Sequence, residues 1–341
     1  MENYKIIVLA VVFLNCTESD NKKNVAINEG IIPELSITSD TLFTTSDISK
    51  NELLIGEIGA FTISDAYDFY LLDKSNYKVL KFDKSGNFVE EFLKGFGRGP
   101  NEVTRPNSIY VDREDFIYVT DRDERKFIVL NSNGEFYTEH KVKMMPSKIT
   151  AIDSTTIFVT GFRFSFKDSN IVRVYKNIEG ELIHTNSLGQ RNSLNNQMII
   201  DMSGYSDFIN VQGGNLIVNR FYPYQFEIFD NTMKRIFEKE VDTESFTAPY
   251  REDGLIKLDA VSRELLTMKD FYVNRYLVNG IDYFDLFDKN LNLLSSFKGS
   301  ELGVKPNAKY FGSYLENNKF YGLYEETYTS VIEYNLVRNE N

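Results

Sequence analysis

Residues 69–88 read FYLLDKSNYKVLKFDKSGNF and residues 117–136 read IYVTDRDERKFIVLNSNGEF, so one pattern returns after 48 residues without a gap. In each copy, two aromatic and β-branched runs precede an Asp or Asn, and a polar turn containing Gly86 or Gly134 follows. Runs of this composition favour β-strands, and an Asx residue shortly before a glycine favours a tight hairpin loop. Each copy therefore predicts three strands, of which the last two are joined by the hairpin.

The Asp or Asn that ends the longer run occurs six times, at Asp83, Asn131, Asn177, Asp230, Asp288 and Asn335. The successive spacings are 48, 46, 53, 58 and 47 residues. A repeat of this length, built from strands, is typical of a β-propeller with four strands per blade. We therefore predict an all-β, six-bladed β-propeller with four-stranded antiparallel blades. In the later turns Gly180 supplies a glycine, and Asn231 and Asn290 are expected to take the left-handed position.

The first two repeats also place the strands. Blade one is predicted at 58–63, 69–73, 77–83 and 88–93, and blade two at 108–112, 116–120, 126–131 and 136–142. Only six residues follow Asn335, which are too few for a turn and a fourth strand in the last blade. Because an uncovered sheet edge invites association, residues 31–43 are predicted to supply the missing strand and close the ring.

Composition fits a single large β domain over residues 31–341. The chain has 27 Phe, 21 Tyr and only 7 Pro, which suits packed sheet faces rather than disorder. Its net charge of -12 argues against a nucleic-acid partner, because phosphates require a basic surface. Before this domain, Lys5 and the apolar run 6–14 predict a signal peptide, since nine apolar residues are too few to span a bilayer.

One face of the propeller is the predicted binding surface. Longer connections between blades are expected at 94–105, 186–205, 242–262 and 298–307. One longer connection is also expected within blade three, at 162–170, between its second and third strands. These two kinds of connection emerge on the same face, and loops on a rigid scaffold commonly carry function. The candidate binding residues there are Arg98, Arg122, Arg125, Phe162, Arg163, Phe164, Phe166, Arg191, Arg220, Tyr222, Tyr224, Tyr250 and Arg251, of types that often anchor interfaces. The alternative is that the aromatic side chains pack under the loops and the arginines pair with carboxylates.

Two resemblances add to this interpretation. Residues 1–16 resemble a bacterial lipoprotein signal with Phe13-Leu14-Asn15-Cys16 as the lipobox, although Phe13 and Asn15 depart from its usual residues. This implies lipidation of Cys16, a polar tether over 17–30, and a membrane anchor. Gly95-Phe96-Gly97-Arg98-Gly99-Pro100-Asn101-Glu102 and the strands after it look like an NHL-type repeat, so that residues 54–136 resemble the TolB-like propeller lipoproteins of Bacteroidetes. The resemblance implies an outer-membrane-anchored cell-envelope protein, periplasmic or surface-exposed, and no particular chemistry.

The inventory of reactive residues favours binding over catalysis. The only two histidines, His140 and His184, fall near fourth strands, so a histidine-ligated zinc site of the amidating-lyase kind is not expected. No cofactor and no metal site is predicted, and Asp121 is expected to cap a turn as Asp73 does. A protein, peptide or glycan is therefore the expected partner. The alternative is a metal-dependent lactonase of the gluconolactonase type, with oxygen ligands chosen from Glu57, Asn107, Asp207 and Asn210.

Overall fold

The structure is a computed structural model that describes residues 35–44, 54–162, 170–190, 208–220, 224–241, 250–252, 255–257, 260–305, 308–314, 317–325 and 329–338. Within these ranges the chain forms 28 β-strands and a short 3-10 helix at Gly299–Leu302. Six sheets of four antiparallel strands account for most of them. The predicted all-β, six-bladed propeller is confirmed.

The blades follow one another along the chain. Blade one contains β2 (Ile58–Ile63), β3 (Phe69–Asp73), β4 (Lys78–Phe82) and β5 (Phe88–Phe92), and blade two contains β8 (Pro106–Val111), β9 (Ile117–Asp121), β10 (Lys126–Leu130) and β11 (Phe136–Lys141). Blade three contains β12 (Met145–Asp153), β13 (Thr156–Phe162), β14 (Asn170–Ile178) and β15 (Glu181–Gln190), and blade four contains β16 (Phe208–Gln212), β17 (Asn215–Asn219), β18 (Gln225–Phe229) and β19 (Arg235–Glu240). Blade five contains β22 (Ala260–Thr267), β23 (Tyr272–Val278), β24 (Ile281–Phe287) and β25 (Leu293–Lys298). In blades one and two, every predicted strand lies within two residues of its observed bounds.

The sixth blade joins the two ends of the chain. It contains β26 (Ala308–Ser313), β27 (Lys319–Glu325), β28 (Thr329–Arg338) and, as its outer strand, β1 (Leu35–Thr44). Strand β1 pairs antiparallel with β28 from Leu35 opposite Arg338 to Thr44 opposite Ser330. The predicted closure of the ring by an N-terminal strand is therefore confirmed.

The hairpins between third and fourth strands share one geometry in blades one, two, four and five, and here one prediction is wrong. In blade one the Gly86 nitrogen donates to the Asp83 oxygen at 2.9 Å, and Gly86 has a φ of 81°. In blades four and five the residues with positive φ are Met233 and Leu291, and not the predicted Asn231 and Asn290. In these turns the residue three positions after the Asp or Asn has the left-handed conformation, whether it is Gly, Met or Leu.

Packing between blades explains how a large residue is tolerated there. A Cβ atom on Gly134 would lie 2.0 Å from the ring of Phe92, which is an outer-strand residue of the preceding blade. Facing Leu291, the equivalent outer-strand position is Lys239, whose Nζ donates to the Leu291 oxygen at 2.8 Å. Leu291 is itself fully buried in the core between blades four and five. Each gap between blades is thus filled from one side or from the other.

The inner strands surround a central channel. Strands β2, β8, β12, β16, β22 and β26 contact one another in that ring order. Each inner strand begins on the face that carries the connections between blades, which we call the interblade face. The described parts of these connections contain β6 (Gly95–Phe96) paired with β7 (Glu102–Val103), β20 (Tyr250–Glu252) paired with β21 (Leu255–Lys257), and the 3-10 helix. The insertion predicted from residue 186 begins later, because β15 continues to Gln190.

Candidate functional site: the mouth of the axial channel

A β-bulge interrupts five of the six inner strands near the point where each begins. Each bulge inserts one residue that has no partner on the neighbouring second strand, and these residues are Gly59, Asn107, Ser147, Arg263 and Lys309. In blade four, β16 pairs without a break, and its first residue is Phe208. Bulges change the direction of a side chain and are frequent next to functional sites. We call the five inserted residues and Phe208 the bulge ring.

Side chains from other strands satisfy the backbone groups that the bulges release from strand pairing. A buried backbone group without a partner is costly, so a ring of bulges requires such compensation. The bonds run from Asn107 Nδ2 to the Ser147 oxygen at 2.8 Å, from Arg275 Nη2 to the Ala308 oxygen at 3.0 Å, from Arg275 Nη1 to the Lys309 oxygen at 3.1 Å, and from the Ile58 nitrogen to Glu325 Oε1 at 2.7 Å. The bulges are therefore built into the contacts between blades.

The bulge ring lines a cavity at the interblade end of the channel. This cavity has a volume of about 320 Å³, and its wall includes residues from all six blades. A second cavity of about 140 Å³ continues toward the opposite face between the apolar parts of the inner strands. Four residues line both cavities and so mark the waist between them, namely Lys148, Phe208, Glu264 and Tyr310. The larger cavity, which we call the mouth, is within the size range of small-molecule sites.

Several basic side chains line the mouth. Arg275 Nη1 lies 3.0 Å from Glu264 Oε2, and Arg275 Nε lies 2.7 Å from Asp282 Oδ1, so this arginine is held in the wall. Lys309 forms an ion pair with Glu325 at the edge of the cavity. Arg263 is exposed in its bulge.

Burial in the channel wall shifts the pKa values of three groups at the waist. It lowers the pKa of Lys148, and nearby Arg263 lowers it further, while Glu264 acts in the opposite direction. Burial raises the pKa of Glu264, and the charges of Arg275 and Lys148 oppose this. Burial also raises the pKa of Tyr310 to about 12. At the waist, a partly buried ammonium group therefore has a lowered pKa because it has lost part of its hydration.

Three of the predicted binding residues lie together on the interblade face at blade two. Arg98 is in the connection before β8, and Arg122 and Arg125 are in the turn between β9 and β10. Arg98 Nε lies 3.0 Å from Glu124 Oε1, and its side chain is 82% exposed. Asp121 holds the two segments together by accepting bonds from the Thr104 nitrogen at 2.7 Å and the Glu124 nitrogen at 3.2 Å. The prediction that Asp121 caps a turn is confirmed.

Two of the predicted binding residues are not at the surface. Arg220 is 4% exposed, and its Nη2 lies 2.7 Å from Glu227 Oε2 in the interior of blade four. Tyr224 is 1% exposed, and its hydroxyl donates to Asp285 Oδ2 at 2.9 Å across to blade five. The expectation that they belong to an exposed face is wrong, because each fills a gap between strands and satisfies a buried carboxylate.

The remaining candidates fall where less is described. Arg163, Phe164, Phe166, Arg191 and Tyr222 lie outside the described residues, as do residues 1–34 with Cys16. Phe162 ends β13, and Tyr250 and Arg251 lie in β20, where only the backbone is described. Their role in binding stays a prediction.

The oxygen ligands considered for a metal do not converge in the described part of the chain. There, no three His, Cys, Asp or Glu side chains are close enough together to hold an ion. Glu57 pairs with Lys74 at 2.7 Å, and Asn210 Nδ2 donates to the Leu265 oxygen at 3.4 Å. Asp207 lies outside the described residues. His140 and His184 are in outer strands, as expected, and both pack against Tyr175.

The sequence did not indicate that the basic residues of the mouth belong to a functional site. Lys148, Arg263 and Lys309 are separated by 115 and 46 residues, and none belongs to a recognisable motif. A bulge is defined by pairing with another strand and leaves no reliable local signal. The repeat does align the inner strands, but it does not show which residue in each strand is inserted.

The ring of four-stranded blades and its polar axial mouth define the molecule as a six-bladed β-propeller with a channel site. The chain belongs to the 6-bladed beta-propeller family DUF5128, whose profile matches residues 48–320. A comparison with curated proteins finds no match. No helix in the described residues is long and apolar enough to cross a membrane.

Solved structures share the fold at low sequence identity. A Bacteroides fragilis NCTC 9343 protein described as exported has a TM-score of 0.62 and 14% identity, with 92% of this chain and 97% of that chain covered. A member of the DUF4221 family from Bacteroides vulgatus ATCC 8482 has a TM-score of 0.58 and 9% identity, covering 90% and 99%. Virginiamycin B lyase from Staphylococcus aureus has a TM-score of 0.53 and 11% identity, covering 89% and 100%. At these identities the likeness is one of fold alone.

Proposed function

We propose that this chain is an exported binding protein of the cell envelope that recognises a protein, peptide or glycan partner through its interblade face, with the mouth of the channel as the recognition site. The ring of bulges carries this proposal. A bulge disrupts strand pairing, and five of them at one level, three of them compensated by side chains from other strands, are difficult to explain by stability alone. They place polar and basic groups around one cavity that is open to a ligand.

The export and anchoring part of the proposal is supported by the N-terminal sequence. The apolar run 6–14 followed by the lone Cys16 matches a lipoprotein signal in layout, and the Bacteroides fragilis protein that shares the fold is described as exported. Substituting Cys16→Ser is expected to abolish incorporation of labelled palmitate and to move the protein from the membrane to the soluble fraction. Unchanged labelling and fractionation would contradict the anchor and would leave the binding site unaffected.

Binding at the mouth is tested by blocking one end of the channel. The mature protein is screened against peptide and glycan arrays and compared with Ser147→Trp, which fills the bulge ring, and Glu114→Trp, an exposed residue on the opposite face. Both variants should keep the melting temperature of the wild type within a few degrees. We expect every specific ligand to be lost in the first variant and kept in the second. Retention in both variants, or loss in both, would contradict a site at the mouth.

A further inference from the structure

Lys148 is the group at the waist whose charge the fold does not neutralise. Its Nζ lies 4.9 Å from the centre of the Phe208 ring, and its side chain lines both cavities. Among the described residues, no carboxylate oxygen lies within 4 Å of this nitrogen. Lys148 is partly buried, and an ammonium group in such a place loses part of its hydration without gaining an ion pair in return.

The nearest acid does not supply the missing charge. Glu264 attracts Lys148, but its Oε2 is paired with Arg275 at 3.0 Å, and its Oε1 accepts a bond from the Phe311 nitrogen at 3.1 Å. Both oxygens of Glu264 are thus committed to the wall of blades five and six. Lys148 and Arg263 both line the mouth, and Arg263 lowers the pKa of Lys148, so two positive charges face the same cavity. An anion placed between them would relieve both the repulsion and the lost hydration.

The walls of the mouth limit the size and shape of such an anion. A volume of about 320 Å³ equals that of roughly ten water molecules, which suits one sugar or amino-acid unit. Phe208 and Tyr310 present aromatic surface, while Ser262 and Asn107 add polar groups to the wall. A bare inorganic ion would leave most of this cavity and its apolar wall unused.

We propose that the mouth binds a small organic carboxylate, with the carboxylate on Lys148 and Arg263 and the body of the ligand against Phe208 and Tyr310. This deepens the proposed function and rests on it, since it names the chemical group through which the interblade face recognises its ligand. The carboxylate belongs to an acidic sugar or to an acidic amino-acid unit, and the structure gives the same role to Lys148 in either case.

The test is a calorimetric titration of the mature protein with matched charged and neutral probes. Galacturonate is compared with galactose, and the α-amide of N-acetylglutamate with the α-amide of N-acetylglutamine, so that each pair differs by one carboxylate, and all are titrated at low ionic strength. We expect one acid to bind at least tenfold more tightly than its neutral partner, and the pair that responds identifies the source of the carboxylate. Equal binding of acid and neutral probes, binding of sulfate as tight as that of either acid, or binding of neither acid would overturn the proposal.

Variants at Lys148 separate its charge from its shape. Lys148→Met keeps the length of the side chain and removes the ammonium, and we expect binding of the acid to weaken about 30-fold or more, because a poorly solvated charge partner is lost. Lys148→Arg should retain most of the affinity. Lys84→Met removes an exposed positive charge from the hairpin between β4 and β5 on the opposite face and should change nothing beyond a twofold effect. Unchanged affinity in a folded Lys148→Met protein would also overturn the proposal.

Failure of this inference and failure of the proposed function give different results. If array ligands are neutral and are still lost in Ser147→Trp, the mouth is the binding site, and only its preference for carboxylates is wrong. If the acids bind equally well to Ser147→Trp, the site itself lies elsewhere.

Discussion

The closing strand β1 gives the sharpest test of the fold, and Phe43 is the residue that anchors it. Phe43 is 7% exposed, and its ring centre lies 5.6 Å from that of Phe69 and 5.8 Å from that of Phe82 in blade one. Replacing it with Ala exposes or empties about 150 Å² of apolar contact, which at about 25 cal/mol per Å² amounts to roughly 4 kcal/mol. Measured Phe→Ala substitutions in cores cost a similar amount, about 3–5 kcal/mol.

The assay is equilibrium unfolding in guanidinium chloride, followed by circular dichroism. We expect Phe43→Ala to lower the free energy of unfolding by about 3–5 kcal/mol, whereas Thr41→Ala, at an exposed position of the same strand, should change it by less than about 0.5 kcal/mol. Removal of residues 35–44 leaves the edge of β28 unpaired and should cause unfolding or aggregation. A loss below about 1 kcal/mol for Phe43→Ala, or a stable monomer without β1, would refute closure of the ring by this strand.

Three further predictions concern the contacts between strands and blades. Gly134→Leu should destabilise the protein by more than 2 kcal/mol on thermal unfolding, because the new side chain would collide with Phe92. Adding Phe92→Ala should recover part of this loss, since Leu291 occupies the same turn position in blade five, where no Phe faces it. No recovery in the double variant would contradict the packing argument. Burial raises the pKa of Asp285 from 3.8 to about 6, so its contribution to stability is full below about pH 4 and is lost as the pH rises through 6. Relative to Asp285→Asn, the wild type should lose about 3 kcal/mol of unfolding free energy between pH 4 and 7, and parallel pH profiles of the two proteins would count against this. Glu227→Ala should cost about 3–5 kcal/mol in urea unfolding because it leaves buried Arg220 without its partner at 2.7 Å, and a cost equal to that of an exposed substitution would show that the pair is not important.

The local pattern of strands and turns in the sequence was sufficient to predict the propeller architecture. The turn that begins at Asp83 forms because the Asp oxygen accepts bonds from nitrogens two and four residues later, at 2.8 and 2.9 Å, and this depends on neighbouring residues alone. Repetition of this pattern at nearly constant spacing predicts the number of blades. These features depend on residues that are close together in the chain, so they can be predicted from the sequence.

Which side chains are buried, and which of them meet in space, depends on the tertiary structure. Arg220 and Tyr224 are of residue types that often anchor interfaces, yet both are buried, Arg220 against Glu227 in its own blade and Tyr224 against Asp285 in the next blade. The left-handed turn positions are occupied by Met233 and Leu291, and only the packing between blades shows that there is room for these large side chains.

Six blades, their hairpins and the strand that closes the ring could be predicted from the sequence, because each depends on residues close together in the chain or on the count of repeats. The site could not, because it is formed by residues from different blades. A bulge is defined by the pairing of one strand with a second strand. The mouth forms where the six inner strands meet around one axis. Lys148 and Arg263 are 115 residues apart in the chain, and ring closure alone brings their charges to the same cavity.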